Sequence, residues 1–414
     1  MTNKEYLLAA LPQQCDHINR LVLLINDGLP TITVVGKYNH GKSSLLNALT
    51  GKAAFSVADK RETRSLQKTE TQGVIWLDAP GLDADIQSID DEYAHQATWL
   101  ESDIRLFVHA VREGELDAAE LKLLQALLVD EKNSHRAVIF VLSQADQAAS
   151  DDALATILEN IKGQLNNGLA IIAVSTVRYQ RGLEREQPLF IEKSGMPELQ
   201  QAVNKAIAQV PAARKHEQSY LFELLTAQLE QLHNQRKSKL QSLEFLAQAQ
   251  ERAFDEDLHQ VLEQANCDLQ DIMQEPESDP ALDPGTIGDV YKVTAGKIER
   301  SKIQNAYSRA CIHIRSVLTR HGVVALPQAQ QTGAKGLDTV MVAVLGVSVK
   351  YRADLRRLFG NAKGRARLFA DFKSYYVQSQ DYLYRQQAIT AQKEQVQEVV
   401  RASKELKQWQ KLAK

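Results

Sequence analysis

Eight consecutive residues, Gly36-Lys37-Tyr38-Asn39-His40-Gly41-Lys42-Ser43, carry the clearest chemistry in the chain. Two glycines bracket four residues, and a lysine and a serine follow at once. Such spacing builds a cradle for phosphate. The glycines let the backbone curl until several N–H groups point inward at an anion. Lys42 then reaches the β- and γ-phosphates of a nucleoside triphosphate, and the Ser43 hydroxyl ligates Mg2+. Asn39, His40 and Ser44 belong to the same cradle. A second element follows where the apolar run GVIWL ends in Asp78-Ala79-Pro80-Gly81. An Asp at a strand end can hold Mg2+ through a water, and the Gly81 N–H can sense the γ-phosphate.

These groups need a scaffold with a strand ahead of each loop. Short apolar runs at TITVVG (31–36), GVIWLD (73–78), DIRLFVHAV (103–111), AVIFVL (137–142) and LAIIAV (169–174) predict strands buried on both faces. Helical patterns near 42–50, 89–101, 116–130, 151–165 and 196–208 separate or follow them. The alternation predicts a doubly wound α/β domain with a mostly parallel sheet over residues 30–211. An extra strand near 64–70 is expected to pair antiparallel with 73–78 through the turn TETQG. Residues 1–29 read as an amphipathic helix ending near Gly28, which packs on the helices that follow the α/β domain. Past Pro211, apolar residues recur at three- and four-residue steps over 215–273, 286–321 and 365–412. Residues 212–414 are therefore expected to form an all-α domain, a helical bundle or a coiled-coil hairpin.

Composition narrows the setting. With 414 residues, 44% hydrophobic and 24% charged, the chain is an ordinary globular protein rather than a disordered one. Lys+Arg is 49 and Asp+Glu is 52, so an extended duplex-binding surface is disfavoured and no specific nucleic-acid partner is expected. Cys15, Cys267 and Cys311 are too far apart for a disulfide framework or a paired-cysteine metal site, which fits a reducing, cytoplasmic setting. The first residues do not read as a secretory signal, and no run of about 18 apolar residues predicts a transmembrane helix.

The stretches GKYNHGKSSLLNALTG, DAPGL and DIRLFVHAVREGELDAAELKLLQAL resemble the GTPase domain of the Era/EngA/TrmE/septin-like group, which includes bacterial dynamin-like GTPases. The resemblance covers about residues 30–210 and implies binding of GTP and GDP with Mg2+ and hydrolysis of GTP. The family's guanine-reading motif, [NT]KxD, is matched by Ser143-Gln144-Ala145-Asp146. Asp146 keeps the carboxylate that accepts from guanine N1–H and the 2-amino group, donors that adenine lacks as a pair. Gln144 replaces the lysine that packs over the base, and Ser143 replaces Asn or Thr. Ser175-Thr176 stands at the place of the fifth motif. The resemblance implies a switch Thr that meets Mg2+ and the γ-phosphate, and Lys60-Arg61-Glu62-Thr63-Arg64 fits it best, which selects Thr63 over Thr69 and Thr71. Arg61 and Arg64 either stabilise charge or form a solvated basic loop.

Small GTPases place a Gln after DxxG to orient the attacking water, whereas this chain has Leu82. The resemblance offers two substitutes: pairing of two GTPase domains in a homodimer, and a K+ ion held by the Asn of a GxxNxGKS loop, here Asn39. Lys42, Asn39 and Thr63 are therefore the expected catalytic residues. Two functional classes remain. One is a dynamin-like protein whose segment 340–357 meets an anionic membrane, with Lys350, Arg352, Arg356 and Arg357 on lipid phosphates. The other is a soluble regulatory switch with a protein or ribosomal partner, in which that segment is buried in the bundle.

Overall fold

The computed structural model describes residues 4–55, 67–78, 95–165, 169–274, 276–324 and 349–413. Two compact units divide the chain, Met1–Leu232 with Glu398–Lys414, and His233–Gln397.

The first unit is built on six strands, β1 (Thr31–Val35), β2 (Gln67–Thr71), β3 (Val74–Asp78), β4 (Ile104–Ala110), β5 (Ala137–Ser143) and β6 (Ile171–Ala173), in the order β2-β3-β1-β4-β5-β6. All neighbours are parallel except the β2–β3 hairpin. Thr69 and Thr71, expected in the hairpin turn, instead pair within the strand, opposite Trp76 and Val74. Successive strand residues point to opposite faces, which sorts the core into two layers. Ile104, Leu106 and Val108 pack with Ile32, Val34, Leu45 and Leu46, while Phe107 packs with Phe140, Leu142, Leu124 and Leu127. Strands covered on both sides must be apolar throughout, which is why they stand out in the sequence.

Among the described residues the main helices are α1 (Glu5–Ala10), α2 (Cys15–Ile25), α3 (Lys42–Thr50), α4 (Ala118–Ser134), α5 (Asp151–Leu165), α6 (Thr176–Glu184), α7 (Pro188–Glu192), α8 (Met196–Met273), α9 (Ala295–Arg320), α10 (Ala362–Val377) and α11 (Gln380–Leu412), with a single short turn of helix at Arg352–Leu355. The expected single N-terminal helix is two, broken by a 3-10 turn at Pro12–Gln14. The expected domain boundary at residue 211 falls inside α8, which continues through Pro211. The pattern over 286–321 becomes helical only at Ala295, and that over 365–412 breaks between Val377 and Gln380. Helices α1 and α2 bury Leu7, Ile18 and Leu21 against Leu221, Leu225 and Leu229 of α8 and Val399, Leu406 and Trp409 of α11.

A buried charge network anchors these helices to the sheet end remote from the phosphate loop. Arg20 on α2 reaches Asp103 at 2.8 Å and Glu217 on α8 at 2.9 Å. Arg214 on α8 reaches the other Asp103 oxygen at 2.7 Å, and the Thr31 N–H donates to that oxygen at 2.9 Å. Arg136 pairs with Asp130 and Glu217, and Arg105 pairs with Asp130. Burial, with Arg136 alongside, pushes the Arg105 guanidinium down to about 10.

The second unit packs Phe254, Leu258 and Leu262 of α8 with Ile303 and Ile314 of α9, Phe372 and Tyr376 of α10, and Val349, Leu355 and Phe359. Arg352 is buried, as in the second of the two alternatives for this segment. Its side chain is buried in ion pairs with Asp279 and Glu299. A guanidinium removed from water needs such partners, and they leave it no free charge for a lipid phosphate. Residues 340–348 lie outside the described residues.

Burial pushes the Asp103 carboxyl up, but the hydrogen bonds and charges of Arg214 and Arg20 outweigh it and hold it below the usual range. Its contribution to stability is therefore present above the ordinary aspartate pKa and is lost as pH falls through the depressed folded value. Asp103→Asn is expected to cost about 3–5 kcal/mol in urea unfolding at pH 7. That difference should shrink only once the pH drops below the ordinary aspartate range.

Candidate nucleotide site

Every expected nucleotide contact among the described residues lies at the carboxyl end of a strand or at the helix start that follows it. Ligands of open α/β sheets bind outside those ends. The phosphate loop leaves β1, and Gly41 caps α3 in the left-handed region with φ 79°. Gly36 is required by close approach, since a Cβ there would sit 2.2 Å from the Val108 carbonyl oxygen of β4. Asn39 also takes a left-handed φ of 59°, a conformation Asn tolerates better than most residues.

Lys42 folds back, and its Nζ donates to the Lys37 carbonyl at 2.9 Å. Ser43 Oγ donates to Asp78 Oδ2 at 2.5 Å. The other Asp78 oxygen is buried and accepts no hydrogen bond from the described residues. A buried orphan carboxylate oxygen beside a serine hydroxyl is a donor set that fits Mg2+, a hard cation that takes oxygen ligands. Burial pushes the Asp78 carboxyl above its usual range, and the Ser43 hydroxyl and Lys42 ammonium only partly pull it back.

The base-reading loop follows β5 and is tied directly to the phosphate loop. Ser143 Oγ donates to the His40 carbonyl at 2.6 Å, with the His109 carbonyl at 3.2 Å. Gln144 Nε2 donates to the Asn39 carbonyl at 3.0 Å, so the residue in the lysine position still reaches the loop. Asp146 is exposed, and Ser175 Oγ donates to its Oδ1 at 2.6 Å. Ser175 also caps α6 by accepting from the Arg178 N–H, which places Thr176 at the first position of that helix. The structure thus brings Gly36, Asn39, His40, Gly41, Lys42, Ser43, Ser44 and Asp78 together with Ser143, Gln144, Asp146, Ser175 and Thr176. Thr63 and Gly81, with Arg61, Arg64 and Leu82, lie outside the described residues.

Sequence reading missed a polar group packed on this loop. Lys37 is ion-paired with Asp117, whose hydrogen bond raises its pKa. Asp117 caps α4 in a reciprocal capping box with Glu120. The Asp117-x-x-Glu120 spacing was the legible signal. Nothing in the sequence pairs Glu120 with His109 of β4, whose Nδ1 lies 2.9 Å from its Oε1.

Residues 31–162 match the family model described as a 50S ribosome-binding GTPase. Residues 31–162 belong to a P-loop GTPase domain of the Era/EngA-like superfamily. A protein of Acinetobacter baylyi is 48% identical over 374 residues, which cover 90% of this chain and 89% of that one. GTPase Era of Ureaplasma parvum is 28% identical over 130 residues, 30% of this GTPase and 42% of that one. GTPase Der of Thioalkalivibrio sulfidiphilus is 32% identical over 134 residues, 31% of this chain and 28% of that one. The chain thus spans less than half the length of these Era and Der relatives. A crystal structure of Era with MgGDPNP and part of 16S ribosomal RNA covers 39% of this chain and 56% of that one, at 23% identity and a TM-score of 0.32. The RNA contact belongs to that Era.

Asp78 supplies a test of the site's design. A carboxyl raised by burial costs folding stability when ionised, and the cost disappears as pH falls through the raised value. Asp78→Asn is therefore expected to raise the thermal midpoint of the nucleotide-free GTPase at neutral pH, with the gain vanishing in acid. The same variant should lose the Mg2+ dependence of nucleotide binding.

Proposed function

We propose that this GTPase binds GTP with Mg2+, hydrolyses it to GDP and phosphate, and acts as a regulatory switch on a protein or ribosomal partner. The observation that carries the nucleotide reading is the Ser43–Asp78 contact with its orphan carboxylate oxygen, set beside Lys42. Ser43 and Asp78, the latter through a water, would hold Mg2+, which when bound neutralises charge on the β- and γ-phosphates. Lys42 would exchange the Lys37 carbonyl for the γ-phosphate and spread the charge that develops as the bond to the leaving GDP breaks. Backbone N–H groups from Asn39 to Ser44 would orient the phosphates. Asp146 would accept from guanine N1–H and the 2-amino group, held in place by Ser175. Thr63 and Gly81 would close on the γ-phosphate.

Leucine at position 82 cannot orient the attacking water. Asn39, exposed and at the mouth of the loop, is the residue from which a K+ ion could supply the missing positive charge. Pairing of two GTPase domains is the other route. The membrane reading draws no support from the described part of 349–357, since Val349 and Leu355 are core residues and Arg352 is ion-paired. Among the described residues, no helix is long and apolar enough to cross a membrane.

Steady-state phosphate release from GTP tests the assignment. Lys42→Ala should lower kcat by about 100-fold or more, in line with the loss of one transition-state donor. Wild type should turn over faster in KCl than in NaCl, and Asn39→Ala should abolish the difference. Turnover by Lys42→Ala at the wild-type rate would refute the site, and equal rates in the two salts would refute the role of Asn39.

A further inference from the structure

Five large apolar side chains stand exposed within twelve residues of the second unit, between the end of α8 and the start of α9. Leu282, Val290 and Val293 are 64%, 62% and 81% exposed, and Ile287 and Tyr291 are 96% and 99% exposed. Apolar residues scattered singly over a surface are ordinary, but a group of this size marks an interaction site.

The loop that carries them is braced. Lys297, in the first turn of α9, donates from its Nζ to the carbonyls of Asp289 at 2.5 Å, Val290 at 3.0 Å and Lys292 at 2.8 Å. Arg300 donates to the Ala281 carbonyl at 2.8 Å and the Asp283 carbonyl at 3.1 Å. Thr286 Oγ1 donates to Asp289 Oδ2 at 2.6 Å. The two ends of the loop meet at Gly296, where a Cβ would sit 2.8 Å from the Pro280 carbonyl oxygen. These bonds occupy backbone acceptors, so the loop can be covered without stranding them. They also fix its conformation in advance, which lowers the ordering cost of an association.

Size and charge select the occupant. Taking about 100 Å2 for a fully exposed aliphatic side chain and about 200 Å2 for tyrosine, the five present roughly 500 Å2. Two copies that meet through the same loop hide roughly 1,000 Å2, the size at which specific interfaces begin. Asp283 and Lys292 are both exposed, so two identical loops can meet with opposite charges opposed. An anionic membrane is a poorer match, since the loop's two carboxylates, Asp283 and Asp289, outnumber its lysine, Lys292.

We propose that residues 282–293 form a homodimer interface, in which the loop of one copy packs on the same loop of a second. The contact is isologous and apolar. It lies in the second unit, so it is separate from the pairing of GTPase domains considered above and needs no nucleotide.

Sedimentation equilibrium of the full-length, nucleotide-free protein tests the interface. The expected result is a dimer that dissociates on dilution and is no weaker in about 1 M NaCl, because an apolar contact is not screened by salt. The double substitution Ile287→Asp and Tyr291→Asp should weaken it by about 30-fold or more, the loss that follows removal of a central anchor. Both side chains are exposed, so folding should survive, and far-UV circular dichroism checks it. Leu189→Asp, an exposed apolar position on α7, should leave the dimer unchanged. A wild type still monomeric at about 100 μM, well above the micromolar Kd of weak specific interfaces, would overturn the proposal. So would a dimer that forms only with a GTP analogue, or one that the folded double variant leaves intact. A monomer that sediments with phosphatidylcholine vesicles, and fails to do so in the double variant, would overturn it in favour of a lipid surface.

Discussion

An ionisable carboxylate buried at the end of β3 governs this structure. Asp78 is 2% exposed, gives one oxygen to Ser43 and leaves the other without a partner among the described residues. Such a group lowers stability when charged and is tolerated when a ligand repays the cost. The sheet order follows the same requirement. Placing β3 beside β1 brings Asp78 to the loop that carries Ser43, and the missing side chain at Gly36, whose Cβ would lie 2.2 Å from the Val108 carbonyl oxygen, lets that loop pass close over β4.

The loop is also held from its inner side. Ser143 ties the base-reading loop to the His40 carbonyl, Gln144 ties it to Asn39, and Lys37 ties the loop to the start of α4. These contacts fix its conformation before nucleotide arrives, which lowers the ordering cost of binding. At the other end of the sheet, Asp103 gathers Arg20 of α2 and Arg214 of α8. One carboxylate thereby fastens the N-terminal helices and the long helix to the strand that carries His109 at its far end.

Much of this was legible because the residues concerned obey local rules. The strands read as unbroken apolar runs because both faces are covered. The phosphate loop read from its spacing, and its ligand pair from an Asp at the end of a strand. What stayed hidden depends on contacts between distant residues. Pro211 looked like a boundary, since proline costs a helix interior about 3 kcal/mol. Burial of Val203, Ala206 and Val210 before it and of Leu221, Leu225 and Leu229 after it outweighs that cost. Helix α6 is short and largely polar, and its start is set by the Ser175 cap. Arg352 looked like part of a basic patch because Asp279 and Glu299, its partners, are remote in sequence. The His109–Glu120 contact was invisible for the same reason.

Calorimetric titration of the nucleotide-free protein with a slowly hydrolysed GTP analogue, with and without Mg2+ and beside the matching ATP analogue, tests the central claim most directly. The account predicts one guanine-nucleotide site per chain, strengthened about tenfold or more by Mg2+, with the Mg2+ effect lost in Ser43→Ala and the ATP analogue bound far more weakly. Equal affinity for the two analogues, or binding indifferent to Mg2+, would contradict it.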